Sequence, residues 1–436
     1  MYRPSDPGAD SFRTWASITR ILTPHPQDTH APHAESNFLS VLDQWNPEFF
    51  ERLHGFVGLA EEHGVIVEVV LLSNTYNEQV WGLNPLHNEN NINNLNSIPW
   101  YTYMTTRSPQ LFDRQKTLVR KIVTELNDYD NIVFEICNEP GGNIGTAGAP
   151  TCEEVDSWLK ELIQLIRQTE AQLPQQHLVF GQQAFVYQMP QLERPPDAYD
   201  VFQLADESFR EFDYDAVNTH ALSNMWYRGQ YYDLGLFMMA RMNLEAFRDY
   251  TLAIYFGETK PLVHDEDNNA SQYRDEFGWT IHRKRAWTAL FCGAHYDYID
   301  FSIIPGRETG LGNHTIRTWF QHLSSYIHAL DLVKSRPLTG SVRVQPEIYV
   351  ESVFGIANRD VSIYVADARE QFDAQFGEKV RDGKLTVDLE EGSYAVSCFD
   401  PSSGGFSPPV TIQGGPRTVI GLPTFRHDIV LRLQRR

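Results

Sequence analysis

Apolar and polar positions alternate in two different rhythms along this chain. Up to about residue 334, short apolar runs follow segments whose apolar positions recur every three to four residues, the pattern of strands alternating with amphipathic helices around a parallel sheet. Asn46-Pro47 supplies a cap followed by proline at the first helical position, and Phe49, Leu53, Phe56, Val57 and Ala60 then repeat at helical spacing. Gly64 marks a stop, and the β-branched run Val65–Leu72 is predicted to be a strand buried on both faces. The unit repeats with Ser108-Pro109, the apolar positions Leu118, Ile122 and Leu126, and a strand over Ile132–Cys137. Further strands are predicted at His177–Gly181, Ala216–Thr219, Pro261–His264 and Tyr298–Ser302, with an earlier one at Ser11–Trp15. Helices are predicted around Val155–Glu170, Asn243–Tyr250, Tyr273–Leu290 and Thr315–Lys334.

This is the pattern of a (β/α)8 TIM-type barrel, but only seven strands are counted where a closed barrel has eight. The ten residues before Ser11 are too few for a strand and a crossover helix, which points to an absent first βα unit. The alternative is that an unrecognised segment closes the barrel. Without closure, an N-terminal edge with unpaired backbone is expected.

The second rhythm begins after Arg336-Pro337-Leu338-Thr339-Gly340, which reads as a linker. There the apolar period drops to two, at Leu385, Val387 and Leu389, at Tyr394, Val396 and Cys398, and at Ile429, Leu431 and Leu433. Glu390-Glu391-Gly392-Ser393 is predicted as a hairpin turn between the first two sets. A small antiparallel β-sandwich over 335–436 is therefore expected to follow a barrel over 1–334.

Composition narrows the function. At 42% hydrophobic and 21% charged the chain reads as an ordinary globular protein, and no apolar run is long enough to cross a bilayer. Met1-Tyr2-Arg3-Pro4-Ser5-Asp6 lacks the apolar core of a secretory signal. A net charge of −21 argues against nucleic acid and against polyanionic substrates, so a neutral substrate fits best. The four cysteines, Cys137, Cys152, Cys292 and Cys398, are too scattered for a disulfide framework or a thiolate metal site. His264, Asp265, His295 and Asp297 form no histidine-pair motif, and no glycine-rich phosphate loop follows a strand, so neither a metal nor a nucleotide cofactor is expected.

Two acids stand at strand ends. The run Asn131–Pro140 is a buried strand that stops abruptly at Asn138-Glu139-Pro140, which sets a carboxylate at the face of a parallel barrel where βα loops converge. Glu135, inside the strand, is less well placed. The second run is Lys260-Pro261-Leu262-Val263-His264-Asp265-Glu266-Asp267, again a short strand ending in acid, with three adjacent acids to choose from. Glycoside hydrolysis needs two carboxylates across one bond, about 5–5.5 Å apart when configuration is retained. Structural readings compete with this one: Glu139 can cap a helix, and the acid triplet can be a salt-bridge cluster. Trp81, Trp100, Tyr101 and Tyr103, then Trp226, Tyr227, Tyr231 and Tyr232, flank the presumed mouth, and the loop His87–Asn94 offers amides to sugar hydroxyls; packing is an equally ordinary role for such aromatics.

These residues resemble the cellulase-like glycoside hydrolases of the retaining (β/α)8-barrel clan, over roughly residues 11–310. The resemblance implies Glu139 as general acid/base, Glu266 as nucleophile and Asn138 as holder of the sugar 2-hydroxyl. It also implies substrate-side roles for Arg13, matching an arginine that supports the nucleophile, and for His220. Trp226 and Asp300 complete the expected substrate-binding set. Some members of the clan likewise end in a small β-sandwich. Leu222 stands where many members place a tyrosine, and Asp300-Phe301 where a sugar-stacking tryptophan is common. The activity implied is hydrolysis of β-glycosidic bonds in a neutral oligo- or polysaccharide, without cofactor. The competing reading is a catalytically silent carbohydrate-binding barrel, which has no reason to keep both acids.

Overall fold

The computed structural model describes residues 40–142, 145–186, 207–220, 224–227, 230–233, 244–267, 276–298, 310–340, 342–369 and 375–436. The described residues divide into two compact units, one up to residue 217 and the other from 218 to 436.

In the first unit, α1 (Pro47–Glu62) begins where expected: Asn46 caps it by accepting from the Glu48 amide, and Pro47 costs nothing at a position whose N–H is free. The helix ends at the His63 cap, and Gly64 takes φ +67°, reversing the chain into β1 (Val67–Ser73). A short α2 (Glu78–Trp81) and α3 (Pro109–Glu125) lead to β2 (Ile132–Asn138), a two-residue β3 (Gly141–Gly142) and α4 (Cys152–Glu170). A reciprocal capping box between Thr151 and Glu154 fixes the start of α4. Then come β4 (Leu178–Gly181), β5 (Phe185–Val186), α5 (Glu207–Arg210) and β6 (Ala216–His220), whose last three residues belong to the second unit. β1, β2, β4 and β6 pair in parallel in that order, with Val67 opposite Ile132 and Ser73 opposite Asn138. Val69, Leu71, Phe134, Ile136 and Val179 are buried with Leu118, Ile122 and Trp158 from α3 and α4. Each such side chain removed from water stabilises the fold by about 1.5–3 kcal/mol.

The second unit continues with a two-stranded ribbon, β7 (Asn224–Tyr227) and β8 (Gln230–Asp233), which sequence periodicity did not suggest. Next are α6 (Leu244–Gly257), β9 (Leu262–Asp267), α7 (Glu276–Phe291), β10 (His295–Tyr298) and α8 (Gly310–His328). β9 and β10 are parallel, and the strand order β1-β2-β4-β6-β9-β10 is that of a TIM-type half-barrel. A strand is present at His295–Tyr298, beginning earlier than the expected Tyr298–Ser302, because Gly293, with φ +85°, turns the chain directly out of α7; positions 299–302 of the expected strand lie outside the described residues. Residues 299–309 and the strand expected at Ser11–Trp15 lie outside the described residues.

The antiparallel part comprises β11 (Arg336–Pro337), β12 (Val342–Gln345), β13 (Tyr349–Ile356), β14 (Asp360–Asp367), β15 (Lys384–Val387), β16 (Gly392–Asp400), β17 (Gly405–Phe406), β18 (Val410–Gly414), β19 (Thr418–Gly421) and β20 (Asp428–Arg435). One sheet runs β11-β13-β14-β20-β16-β17, with β18 on β16, and the other runs β12-β15-β19. The alternating residues do face inward: Leu385, Tyr394, Leu431 and Leu433 are fully buried in one core. Two local expectations are corrected. Glu390–Ser393 is not a hairpin turn, since β15 and β16 lie in different sheets; Gly392, at φ +150°, carries the chain across the sandwich. Arg336-Pro337 is not a free linker but pairs with Gly355 and Phe354 at a sheet edge, where proline's missing N–H does no harm.

α7 departs most from the amphipathic pattern of a barrel helix. Every residue from Trp279 to Ala289 is buried, including Arg283, Lys284 and Arg285. Trp287 stacks on Tyr364 of β14 at 5.6 Å and meets Tyr326 of α8 and Phe399 of β16. Between Trp279 and Ala289 the helix therefore has no solvated face, and its cations require buried partners.

Candidate active site

In the first unit, Glu139 follows the last residue of β2 and takes φ +50°, a left-handed conformation unusual for a residue with a Cβ. Strain of this kind gathers at functional sites, because an ordinary strand continuation would aim the side chain elsewhere. The surroundings hold the residue there. Asn74 donates through Nδ2 to the Glu139 carbonyl at 2.9 Å, and Glu139 itself is half-buried. Three residues on, an added Cβ at Gly142 would lie 2.8 Å from backbone atoms of Thr151 and Cys152. That glycine permits close approach of the chain after the acid to the start of α4, more than room for a turn.

Tyr76, also left-handed at φ +57°, brings its phenol to the Glu139 carboxylate. Burial, followed by the Glu139 charge and a hydrogen bond to it, raises the phenol well above its ordinary pKa, so it stays a donor. Asn138 is buried and donates through Nδ2 to the Tyr76 oxygen at 2.7 Å. Its Oδ1 has no hydrogen-bond partner among the described residues, an acceptor left for something else. Tyr76 and Asn74 were not singled out from sequence; the only trace was a polar Asn-Thr-Tyr directly after the β1 run.

Several side chains near the presumed mouth have structural partners. Trp81 and Tyr103 are 1% exposed, and the Trp81 indole donates to the Ile98 carbonyl at 3.2 Å. Three amides of the asparagine loop are spent on the protein itself: Asn90 on Gly82 and Asn84, Asn91 on Pro85 and His87, Asn93 on Asp43. Trp100 and Tyr101 remain partly exposed. Glu135 is fully buried within β2.

In the second unit, β9 ends in the acid triplet. Pairing with β10 passes from His264–Tyr296 to Asp267–Tyr298, so one extra residue is accommodated between them. Such a bulge re-aims side chains, and it falls at Asp265-Glu266. The neighbours of Glu266 are committed to structure. His264 is buried, bonds Thr251 at 2.8 Å and lies 4.4 Å from the Phe247 ring. Burial and the nearby Arg285 charge lower its pKa to about 3, so it is neutral. Asp265 accepts from Asn218 at 3.4 Å, and Asp267 receives Arg285 and, at 2.9 Å, the Tyr296 hydroxyl. His220 ends β6 and is buried. Trp226 lies in β7 opposite Tyr231, while Arg13 and Asp300 lie outside the described residues.

Residues 5–206 match the family model "Cellulase (glycosyl hydrolase family 5)". Among solved structures, a glycoside hydrolase family 5 protein from Bacteroides vulgatus aligns with TM-score 0.57 at 11% identity, over 89% of this chain and 74% of that one. A structure titled "Glycoside hydrolase" aligns with TM-score 0.52 at 12% identity, over 89% and 77%. At such identities the likeness concerns the fold. No curated protein matches the chain in sequence.

Proposed function

We propose that this chain, a cellulase-like glycoside hydrolase of the (β/α)8-barrel clan, cleaves a β-glycosidic bond of a neutral oligo- or polysaccharide with retention of configuration. The observation that carries the reading is the strained Glu139 at the end of β2, held by Asn74 and hydrogen-bonded to Tyr76. Glu139 acts as general acid on the leaving oxygen and then as general base on water. Glu266, at the bulged end of β9, attacks the anomeric carbon and forms the glycosyl-enzyme. Asn138 presents its unpartnered Oδ1 to the sugar 2-hydroxyl. Substrate-binding roles are assigned to His220, Arg13, Asp300 and Trp226, and the sandwich, taken as 335–436, contributes no reacting group.

Two substitutions test this against a panel of 4-nitrophenyl β-glycosides and neutral β-glucans, xylans and mannans. Glu266→Gln abolishes turnover, because an amide cannot attack. Glu139→Ala is rescued by azide on aryl glycosides whose leaving group needs no proton, yielding a β-glycosyl azide. An α-azide product would refute retention. Loss of activity in Asp265→Asn with Glu266→Gln still active would move the nucleophile by one residue.

A further inference from the structure

Three consecutive residues of α7 carry cations into the interior of 218–436, and each reaches a different element. Arg283 forks onto Asp428 of β20, with Nε to Oδ2 at 2.9 Å and Nη2 to Oδ1 at 2.7 Å, and Asp428 also accepts from the Tyr364 hydroxyl at 3.0 Å. Lys284 donates through Nζ to the carbonyl of Asp367 at 2.6 Å and of Arg369 at 3.2 Å, at the end of β14. Arg285 donates through Nε to Asp267, the residue after Glu266. Arg283 lies over Trp319 at 4.0 Å and Arg285 over Phe247 at 4.1 Å, so both guanidinium planes are held on their faces as well as their edges.

Successive helical residues point about 100° apart, so these contacts grip α7 from three sides. The side chains of Arg285 and Asp267 are both 0% exposed, and those of Arg283 and Asp428 are 2% and 0%. A charge buried this deeply cannot shift without weakening the hydrogen bonds that compensate its loss of water, which makes each contact a positional constraint. Two of the constraints come from the antiparallel sheet. The third acts on β9, immediately after its bulge.

We infer that Arg285 is a positioning residue for Glu266, and that the sandwich, through Asp428 and the Asp367 carbonyl, sets where Arg285 stands. The antiparallel sheet is then part of what aims the attacking carboxylate. Arg285 and the Tyr296 hydroxyl both donate to the Asp267 carboxylate, so the residue directly after Glu266 is held in place just past the bulge. The inference rests on the reading of Glu266 as nucleophile.

The full-length chain is assayed on the 4-nitrophenyl β-glycoside that the wild type cleaves best, recording kcat, KM and the melting temperature together. Arg285→Met combined with Asp267→Asn removes both charges, so neither is left buried alone. A misplacement of the nucleophile on the 1 Å scale costs about 100-fold in kcat, with KM little changed. Arg285→Lys restores part of kcat, because a donor again reaches Asp267. Asp428→Asn, which touches no residue of β9, lowers kcat about 10-fold with KM unchanged, as a smaller displacement of the same kind. Wild-type kcat in a folded double variant overturns the positioning role. Unchanged kcat in Asp428→Asn overturns the part assigned to the sandwich. If the double variant does not fold, Arg285→Lys decides alone: a lowered kcat at unchanged KM and melting temperature supports the role, and wild-type kcat refutes it. Glu266→Gln runs in parallel. If it remains active, the nucleophile is misassigned, a result separate from inert Arg285 variants beside a dead Glu266→Gln.

Discussion

Replacing Tyr76 with phenylalanine removes one oxygen from the neighbourhood of Glu139 and leaves the ring that fills the space. That oxygen links the site, accepting from Asn138 at 2.7 Å and donating to the Glu139 carboxylate. A hydrogen bond to a charged group contributes about 1.5–3 kcal/mol, and each 1.36 kcal/mol is tenfold in rate. Loss of the bond to Glu139 therefore predicts a fall of roughly 10- to 150-fold in kcat/KM on substrates that need a proton at the leaving oxygen. The dependence on leaving group separates this from general damage. Methylumbelliferyl or alkyl glycosides need help from the acid and should show the whole loss, whereas 2,4-dinitrophenyl glycosides leave unaided in the first step and should show little. Because burial and the Glu139 charge keep the phenol protonated far into alkali, Tyr76 adds no alkaline limb of its own; losing its hydrogen bond to the charged carboxylate should instead move the limb set by the Glu139 acid toward higher pH. Equal losses on both substrate classes would refute the idea that Tyr76 acts through the acid, and so would no loss on either.

Other expectations concern stability. Asp428→Ala leaves Arg283 buried without its counter-charge and should cost about 3–5 kcal/mol in denaturant unfolding, against much less for an exposed pair such as Arg435–Glu390. Trp287→Ala empties the space between α7, α8 and the antiparallel sheet, and should cost about 3–5 kcal/mol. His264 is held neutral with a folded pKa of about 3, against 6.5 in the unfolded chain. Below about pH 6.5 the unfolded state takes up a proton that the folded state refuses, so stability falls as pH drops from there toward 3. His264→Gln should flatten that limb in urea melts taken between pH 7 and 4; an unchanged slope would remove His264 as a cause.

Much of this molecule was legible in its residue order, for physical reasons that act locally. Asn46-Pro47 caps α1 whatever packs beside it, since cap and proline act on the helix's own free amides. The β-branched runs at Val65–Leu72 and Ile132–Cys137 suit buried parallel strands, and strands at Val67–Ser73 and Ile132–Asn138 follow them closely. Strict alternation at Leu385, Tyr394 and Leu431 placed those residues inward without knowledge of their partners. Pairing is another matter. The same alternation fits β15 on β16 as a hairpin or the two in opposite sheets, and only the contacts of β12, β19 and β20 decide. Amides in the asparagine loop look identical in sequence whether they face a sugar or their own backbone. The Arg283-Lys284-Arg285 run resembles a solvated helix face, because charge reads as exposure until buried counter-charges distant in sequence are brought up to it. Tyr76 sits 63 residues before Glu139 and carries no motif of its own. Its role follows from parallel pairing of β1 with β2, which sets their ends side by side and lets a phenol from one loop reach the carboxylate on the next.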